Sequence, residues 1–160
     1  MLHSDILPDI PYSFQQRPIP ITADLRIGWR VGLILLFLHV CCQGEKASLS
    51  QLHVFNWAIL SRKGRTILQK IIAKELLPEA AIVRVDPSIN RAIDYAFAEN
   101  FIEFERKRNE LKSDIQLAPK GKSLAIAIKN ERDIFRVEKE FMNAIGKKLN
   151  KVLVKKMFEG

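Results

Sequence analysis

Cysteine is scarce in this chain: there are two, Cys41 and Cys42, and they are adjacent. Neighbouring cysteines close no loop, so no disulfide framework supports the fold, and a reducing cytoplasm is the expected compartment. Neither these thiols nor the histidines have the spacing of a metal site. Long apolar runs are also missing. Val31–Cys42 is the most apolar stretch, but it is short for a bilayer and interrupted by His39, so no membrane association is expected. It also begins too far behind Met1, beyond Asp24, for a secretion signal. Leu38-His-Val-Cys41 has a faint lipoprotein-like pattern, but Val40 is bulky where a small residue belongs. The phosphate-binding pattern G-x-x-x-x-G-K-[ST] is absent. No Ser-His-Asp or Cys-His arrangement can be assembled, and the carboxylate pairs fall on exposed helix faces. The reading is a non-enzyme with no cofactor and no metal.

What is present in excess is positive charge. Lys and Arg number 26 against 18 Asp and Glu, a net +8. Such a balance invites nucleic acid or another acidic partner, although a solvated basic surface accounts for it equally well. At 160 residues the chain suits one domain with extensions.

The pattern divides into an extended arm (1–20), a core (21–130) and a C-terminal helical extension (131–160). The arm holds four of the seven prolines. Proline removes a backbone donor and biases its predecessor away from helix, so the arm is extended. It is too apolar for a solvated tail, and Ile10, Tyr12 and Phe14 are candidate partner contacts. Thr22 or Asp24 can then cap a helix running to about Cys42. That helix is apolar nearly all round from Val31, as expected of a covered core helix, and Gly28 and Gly32 would let neighbours approach. His39 is expected to pack in the core.

Ser48-Leu-Ser-Gln51 is a capping-box pattern. It opens a helix to about Ser61 with Leu52, Phe55, Asn56, Ile59 and Leu60 on one face. Arg62-Lys-Gly-Arg65 is expected to break that helix and expose three cations, with an amphipathic helix over Thr66–Leu76 following. Ala81–Val85 is a β-prone run, read as a small first strand. Asp86-Pro87 signals the start of a helix over Ser88–Glu99, with Ile89, Ile93, Ala96 and Phe97 buried. Its outer face offers Arg91 against Asp94 and Glu99, a poor surface for phosphates.

Phe101–Arg106 alternates as a strand, Lys107–Leu111 forms a tip, and Ile115–Leu117 is the returning strand. The chain then reaches Pro119-Lys120-Gly121 and a helix over Ser123–Asn130. Helix, strand, charged turn, strand, then Leu-x-Pro-Lys-Gly-x-x-Leu is the order of a winged helix-turn-helix. The fold class is therefore mainly α with a small β-wing. Because both faces of the first wing strand carry apolar groups, Ile102 and Phe104 are candidate partner contacts. Arg62, Lys63, Arg65, Lys70, Arg106, Lys107, Arg108 and Lys120 are candidate phosphate contacts. Glu131–Ile145 and a segment bearing Leu149, Val152, Leu153 and Met157 read as further helices. The last is basic and amphipathic, and is expected to dock on the first helix.

Four passages carry a family resemblance: "DLRIGWRVGLILLFL" after the Pro-rich lead, "SLSQLHVFNWAIL", "VDPSINRAIDYAFAENFIEF" and "IQLAPKGKSLA". Together the chain resembles the small middle component of bacterial three-component ABC-ATPase systems, and the related subunit of Lamassu-type antiphage complexes. The resemblance covers roughly Ile19–Ile128. It implies a non-catalytic adaptor that binds an SMC-like or ABC-type ATPase and couples it to a nuclease-like effector in antiphage or antiplasmid defence. Non-specific double-stranded DNA contact inside the complex is also implied. The reading from a different class is a homodimeric winged-helix transcription regulator.

Overall fold

Val31–Leu38 has no polar face, so the helix that carries it must be covered on every side. In the computed structural model, which describes residues 23–106, 108 and 113–159, this helix is α1 (Ala23–Cys41). Val31, Leu33–Leu38 and Cys41 are at most 3 % exposed. At roughly 1.5–3 kcal/mol per fully buried large side chain, this run is the energetic centre of the fold. Helices α4 (Ser88–Ala98), α5 (Pro119–Asn130) and α6 (Arg136–Ile145) pack on it, together with strand β3 (Asp114–Leu117). Asp24 lies inside α1 rather than before it, and Thr22 lies outside the described residues. Gly32 accommodates the Phe135 ring, which a Cβ would approach to 3.1 Å, whereas Gly28 has no neighbour within 4 Å among the described residues. His39 is not a core residue: it is half-buried at the end of α1, its Nδ1 2.9 Å from Glu45 Oε1.

The capping box forms as written. Gln51 N donates to Ser48 Oγ (3.2 Å), and Ser48 N donates to Gln51 Oε1 (2.9 Å). It starts α2 (Leu49–Ile59), whose Phe55 stacks on Phe37 of α1 at 4.1 Å between ring centroids. Leu60 is exposed rather than buried.

Arg62–Arg65 is not a break. Ser61 accepts from Gly64 N (2.9 Å) and caps α3 (Arg62–Ile72), so the basic run is that helix's first turn. Gly64, expected to disrupt, instead presses against α2, where a Cβ would meet the Ala58 and Trp57 carbonyl oxygens at 3.0 Å. Ala81–Val85 forms no strand. It follows a 3-10 turn (Pro78–Ala80), with Ile82 79 % exposed. The first strand is instead β1 (Lys46–Ala47).

Strand β2 (Ile102–Glu105) and β3 pair antiparallel, Ile102 opposite Leu117 and Phe104 opposite Ile115, and β1 pairs on the other edge of β3. The result among the described residues is an α-rich fold with a small three-stranded antiparallel sheet in the order β1-β3-β2. Pro119 occupies the first turn of α5, which therefore begins earlier than the expected Ser123. Gly121 follows because that turn lies on the entry to β2: a Cβ there would be 1.9 Å from the Phe101 carbonyl oxygen.

The C-terminal part is divided into α6 and α7 (Lys151–Glu159), separated at Gly146. Within α6, Phe141 and Ile145 are buried while Val137 is exposed, and Ile134 before it is exposed too. The helix on α1 is α6, whereas α7 packs on α2 and the 3-10 turn. Two polar ties fix this docking: Gln51 Nε2 donates to the Leu149 carbonyl (3.0 Å), and Lys151 Nζ meets Asp114 Oδ2 at 2.6 Å.

Candidate functional site

Helix α4 is anchored at its first turn. Asp86 Oδ1 accepts from Ser88 N (2.9 Å) and Ser88 Oγ (2.6 Å), and Oδ2 accepts from Arg30 of α1 (2.8 Å). The Ser88 hydroxyl and the Arg30 guanidinium hold the Asp86 carboxyl well below its ordinary range. Ile89, Ala92, Ile93 and Ala96 then face the core, and this sets what faces outward. Phe97, expected in the core, is 51 % exposed and Tyr95 47 %. Phe97 lies 5.0 Å from Phe104 of β2, an aromatic pair bridging helix and wing. Asn100 makes the turn between them at φ 60°, a conformation Asn tolerates better than most residues.

Beside this pair is a groove of about 470 Å³ between the start of α2, α4 and the wing strands. Leu49, Ile93, Phe104 and Ile115 give it apolar walls, with Asn90 and Asp94 at the α4 side. His53 also lines it, 9 % exposed, and its Nδ1 has no hydrogen-bond partner among the described residues. Burial lowers the imidazole's proton affinity, against the pull of the Asp86 charge, so the ring is held neutral. Such an arrangement suits an inserted apolar or aromatic group.

The expected basic residues are not brought together. Arg62, Lys63 and Lys70 are exposed on α3, while Arg65 is half-buried and donates to the Ile59 carbonyl (3.0 Å), closing the end of α2. Glu140 of α6 shares a hollow with Arg62 and Arg65. Arg106 and Arg108 are exposed beyond β2, and Lys107 lies outside the described residues. Lys120 is exposed, and its Nζ donates to the Glu99 carbonyl (2.9 Å) and lies 4.8 Å from the Phe101 ring centroid. It thus completes the C-terminus of α4, where a cation is favoured. Helix α3 rests on α2 and α6, while β2 and β3 rest on α4, α1 and α5. The two basic groups therefore sit on different parts of the fold.

No protein-family model, curated protein or solved structure matches this chain. Its own geometry is therefore the basis for a functional reading. Of the expected partner contacts, Ile10, Tyr12 and Phe14 lie outside the described residues. Ile102 is a core residue at 1 % exposure, while Phe104 is 42 % exposed. Tyr95, Phe97 and His53 were not singled out from the sequence as contact residues. The signal for the first two was the Ala92–Ala96 pair, whose small side chains mark the closely packed side of α4. Among the described residues no cluster of His, Cys, Asp and Glu could hold a metal ion, and no helix is long and apolar enough to cross a membrane.

Proposed function

We propose that this protein is a non-catalytic winged-helix adaptor that docks on an SMC-like or ABC-type ATPase and couples it to a nuclease-like effector in bacterial defence. The observation that carries the docking role is the outer face of α4. A helix in this position would enter a DNA groove in a DNA-reading winged helix. Here it presents Tyr95 and Phe97, joined to Phe104, with Arg91 and Asp94 exposed on the same helix and Glu99 at its end paired with Lys120. Aromatic groups at an apolar patch are favoured at protein interfaces, and carboxylates repel phosphate. The order α1, β1, α2, α4, β2, β3 with sheet order β1-β3-β2 supports the winged-helix reading, with α3 and the 3-10 turn inserted between α2 and α4. The partner classes come from the resemblance of the four sequence passages. Exposed Arg62 and Lys63 are the proposed contacts to DNA held by the assembled complex.

The test is to tag the protein in its native gene neighbourhood and identify what co-purifies at a fixed ratio. Recovery of an SMC- or ABC-type ATPase, lost in a Tyr95→Ala/Phe97→Ser double variant that stays folded, is the expected outcome. A lone homodimer that shifts its own promoter DNA would replace this reading with the regulator. Charge reversal at Arg62 and Lys63 should weaken DNA binding by the complex and flatten its salt dependence. Arg65 is left intact in that variant, because it closes α2.

A further inference from the structure

A second groove, of about 800 Å³, runs between the end of α3 and α7 and shares no lining residue with the one beside α4. Leu76, Leu77, Val152 and Leu153 supply its apolar surface, with Leu77 73 % and Val152 66 % exposed. Four lysines line it, Lys74, Lys147, Lys148 and Lys156. Among the described residues no carboxylate lines this groove, and none of the four lysines is in an ion pair.

The backbone at the rim is also unusual. Helix α3 ends in a turn in which Glu75 N and Leu76 N return to the Lys70 carbonyl (2.8 and 3.3 Å), with Lys74 at φ 60°. Glycine is the ordinary occupant of that left-handed position, and a side chain there costs about 1 kcal/mol. The lysine is thus kept at the groove edge against local backbone preference, while the same turn brings Leu76 and Leu77 to the surface.

We propose that the α3–α7 groove binds an acidic amphipathic segment of a partner protein, apolar side chains against Leu77 and Val152 and carboxylates against the four lysines. Apolar burial supplies the affinity in such helix-in-groove docking, and the charged rim selects the partner and its orientation. Nucleic acid fits less well. Phosphates would leave the apolar floor facing water or a charged backbone, whereas a peptide with one apolar face covers it. This site is independent of the adaptor reading, because it requires neither the ATPase nor the α4 face.

A displayed random-peptide library selected on the full chain, followed by fluorescence anisotropy of the enriched peptides, tests it. Enriched peptides should combine Asp or Glu with large apolar residues at helical spacing. Their affinity should fall by about tenfold or more in Leu77→Asp and in the Lys147→Glu/Lys148→Glu double variant. Lys74→Gly separates binding from folding: it should weaken the peptide while leaving the unfolding midpoint unchanged or raised. Tyr95→Ala/Phe97→Ser should leave peptide affinity unchanged. Selection of peptides without acidic bias, or affinity indifferent to Leu77→Asp, would overturn the proposal. So would duplex DNA binding that is lost on lysine reversal, untouched by Leu77→Asp, and competitive with the peptide.

Discussion

Gly121→Ala should destabilise the protein strongly, although Ala is the better helix former. Gly121 is in the first turn of α5, and helix propensity alone would make the substitution favourable by about 1 kcal/mol. The site reverses that sign. An added Cβ would lie 1.9 Å from the Phe101 carbonyl oxygen, where contacts under 3.0 Å are essentially never seen. The obstacle is backbone, so no rotamer change relieves it. Phe101 O also accepts from Ala118 N (3.0 Å), so displacing the carbonyl weakens the bond that ties the entry of β2 to the β3–α5 junction. Overpacking costs about 1–3 kcal/mol and a disrupted hydrogen bond adds about 1 kcal/mol. Against the propensity gain, the net loss should be near 3 kcal/mol at the upper end of overpacking. With a urea m-value of about 2 kcal/mol/M, the midpoint falls by about 1.5 M. Gly28→Ala is the internal control. It lies in α1 with nothing among the described residues within 4 Å of the new methyl group, so it should raise stability by about 1 kcal/mol. Urea unfolding followed by far-UV circular dichroism reads both. A Gly121→Ala protein as stable as the parent would refute the assigned approach of α5 to β2.

Three further outcomes follow from the described geometry. Burial pushes the Cys41 thiol up to about 12, and burial with the neighbouring Cys41 raises Cys42 as well. Pulse alkylation should therefore spare both thiols until urea unfolds the chain, and modification of the native protein at a free-thiol rate would contradict their burial. Asp86→Ala removes both the first-turn acceptor of α4 and the tie to Arg30, and should cost about 1–2 kcal/mol at neutral pH. Because its folded value is depressed, the Asp86 contribution is complete above its ordinary 3.8 and disappears as pH falls through the folded value, so denaturation curves of the parent and variant should converge in acid. His53 is likewise depressed, so its neutral ring favours the fold fully above 6.5 and progressively less as pH falls. His53→Gln should flatten the loss of stability as pH falls below 6.5, and an unchanged slope would remove His53 as its source.

Much of the fold was legible because several elements announce themselves locally. The all-round apolar run of α1, the Ser48/Gln51 box and the alternation of the hairpin each need only short-range pattern. What failed depended on neighbours. The β-prone Ala81–Val85 pairs with no strand among the described residues, whereas β1, only Lys46–Ala47, is too short to show alternation. Gly64 looked like a helix breaker, yet it lets α3 press onto the α2 carbonyls. Phe97 has the spacing of a core residue with Ile93. However, the Ile89–Ala92–Ile93–Ala96 face packs inward, which turns Phe97 toward Phe104. Lys120 is exposed beside Gly121, and what the sequence does not show is that it also donates to the α4 carboxy-terminus. Charge in sequence reports how many cations exist, not which of them the fold has already engaged.

That distinction changes what the net positive charge means. Arg30, Lys46, Lys120 and Lys151 are held by Asp86, Glu105, Glu99 and Asp114. Arg65 is occupied by the end of α2. Of the two apolar grooves, the one beside α4 has Asp94 in its lining, while the one between α3 and α7 is lined by four lysines and no carboxylate among the described residues. Rim charges act mainly on encounter and on the rejection of wrong partners, with apolar centres supplying affinity. On the proposed reading, two apolar surfaces with rims of opposite sign disfavour the same ligand occupying both. An acidic segment drawn to the lysines would meet Asp94 at the groove beside α4, and a basic segment experiences the reverse. An adaptor of the proposed kind, holding two different proteins at once, would draw on this mutual exclusion, which one uniform basic face would not provide.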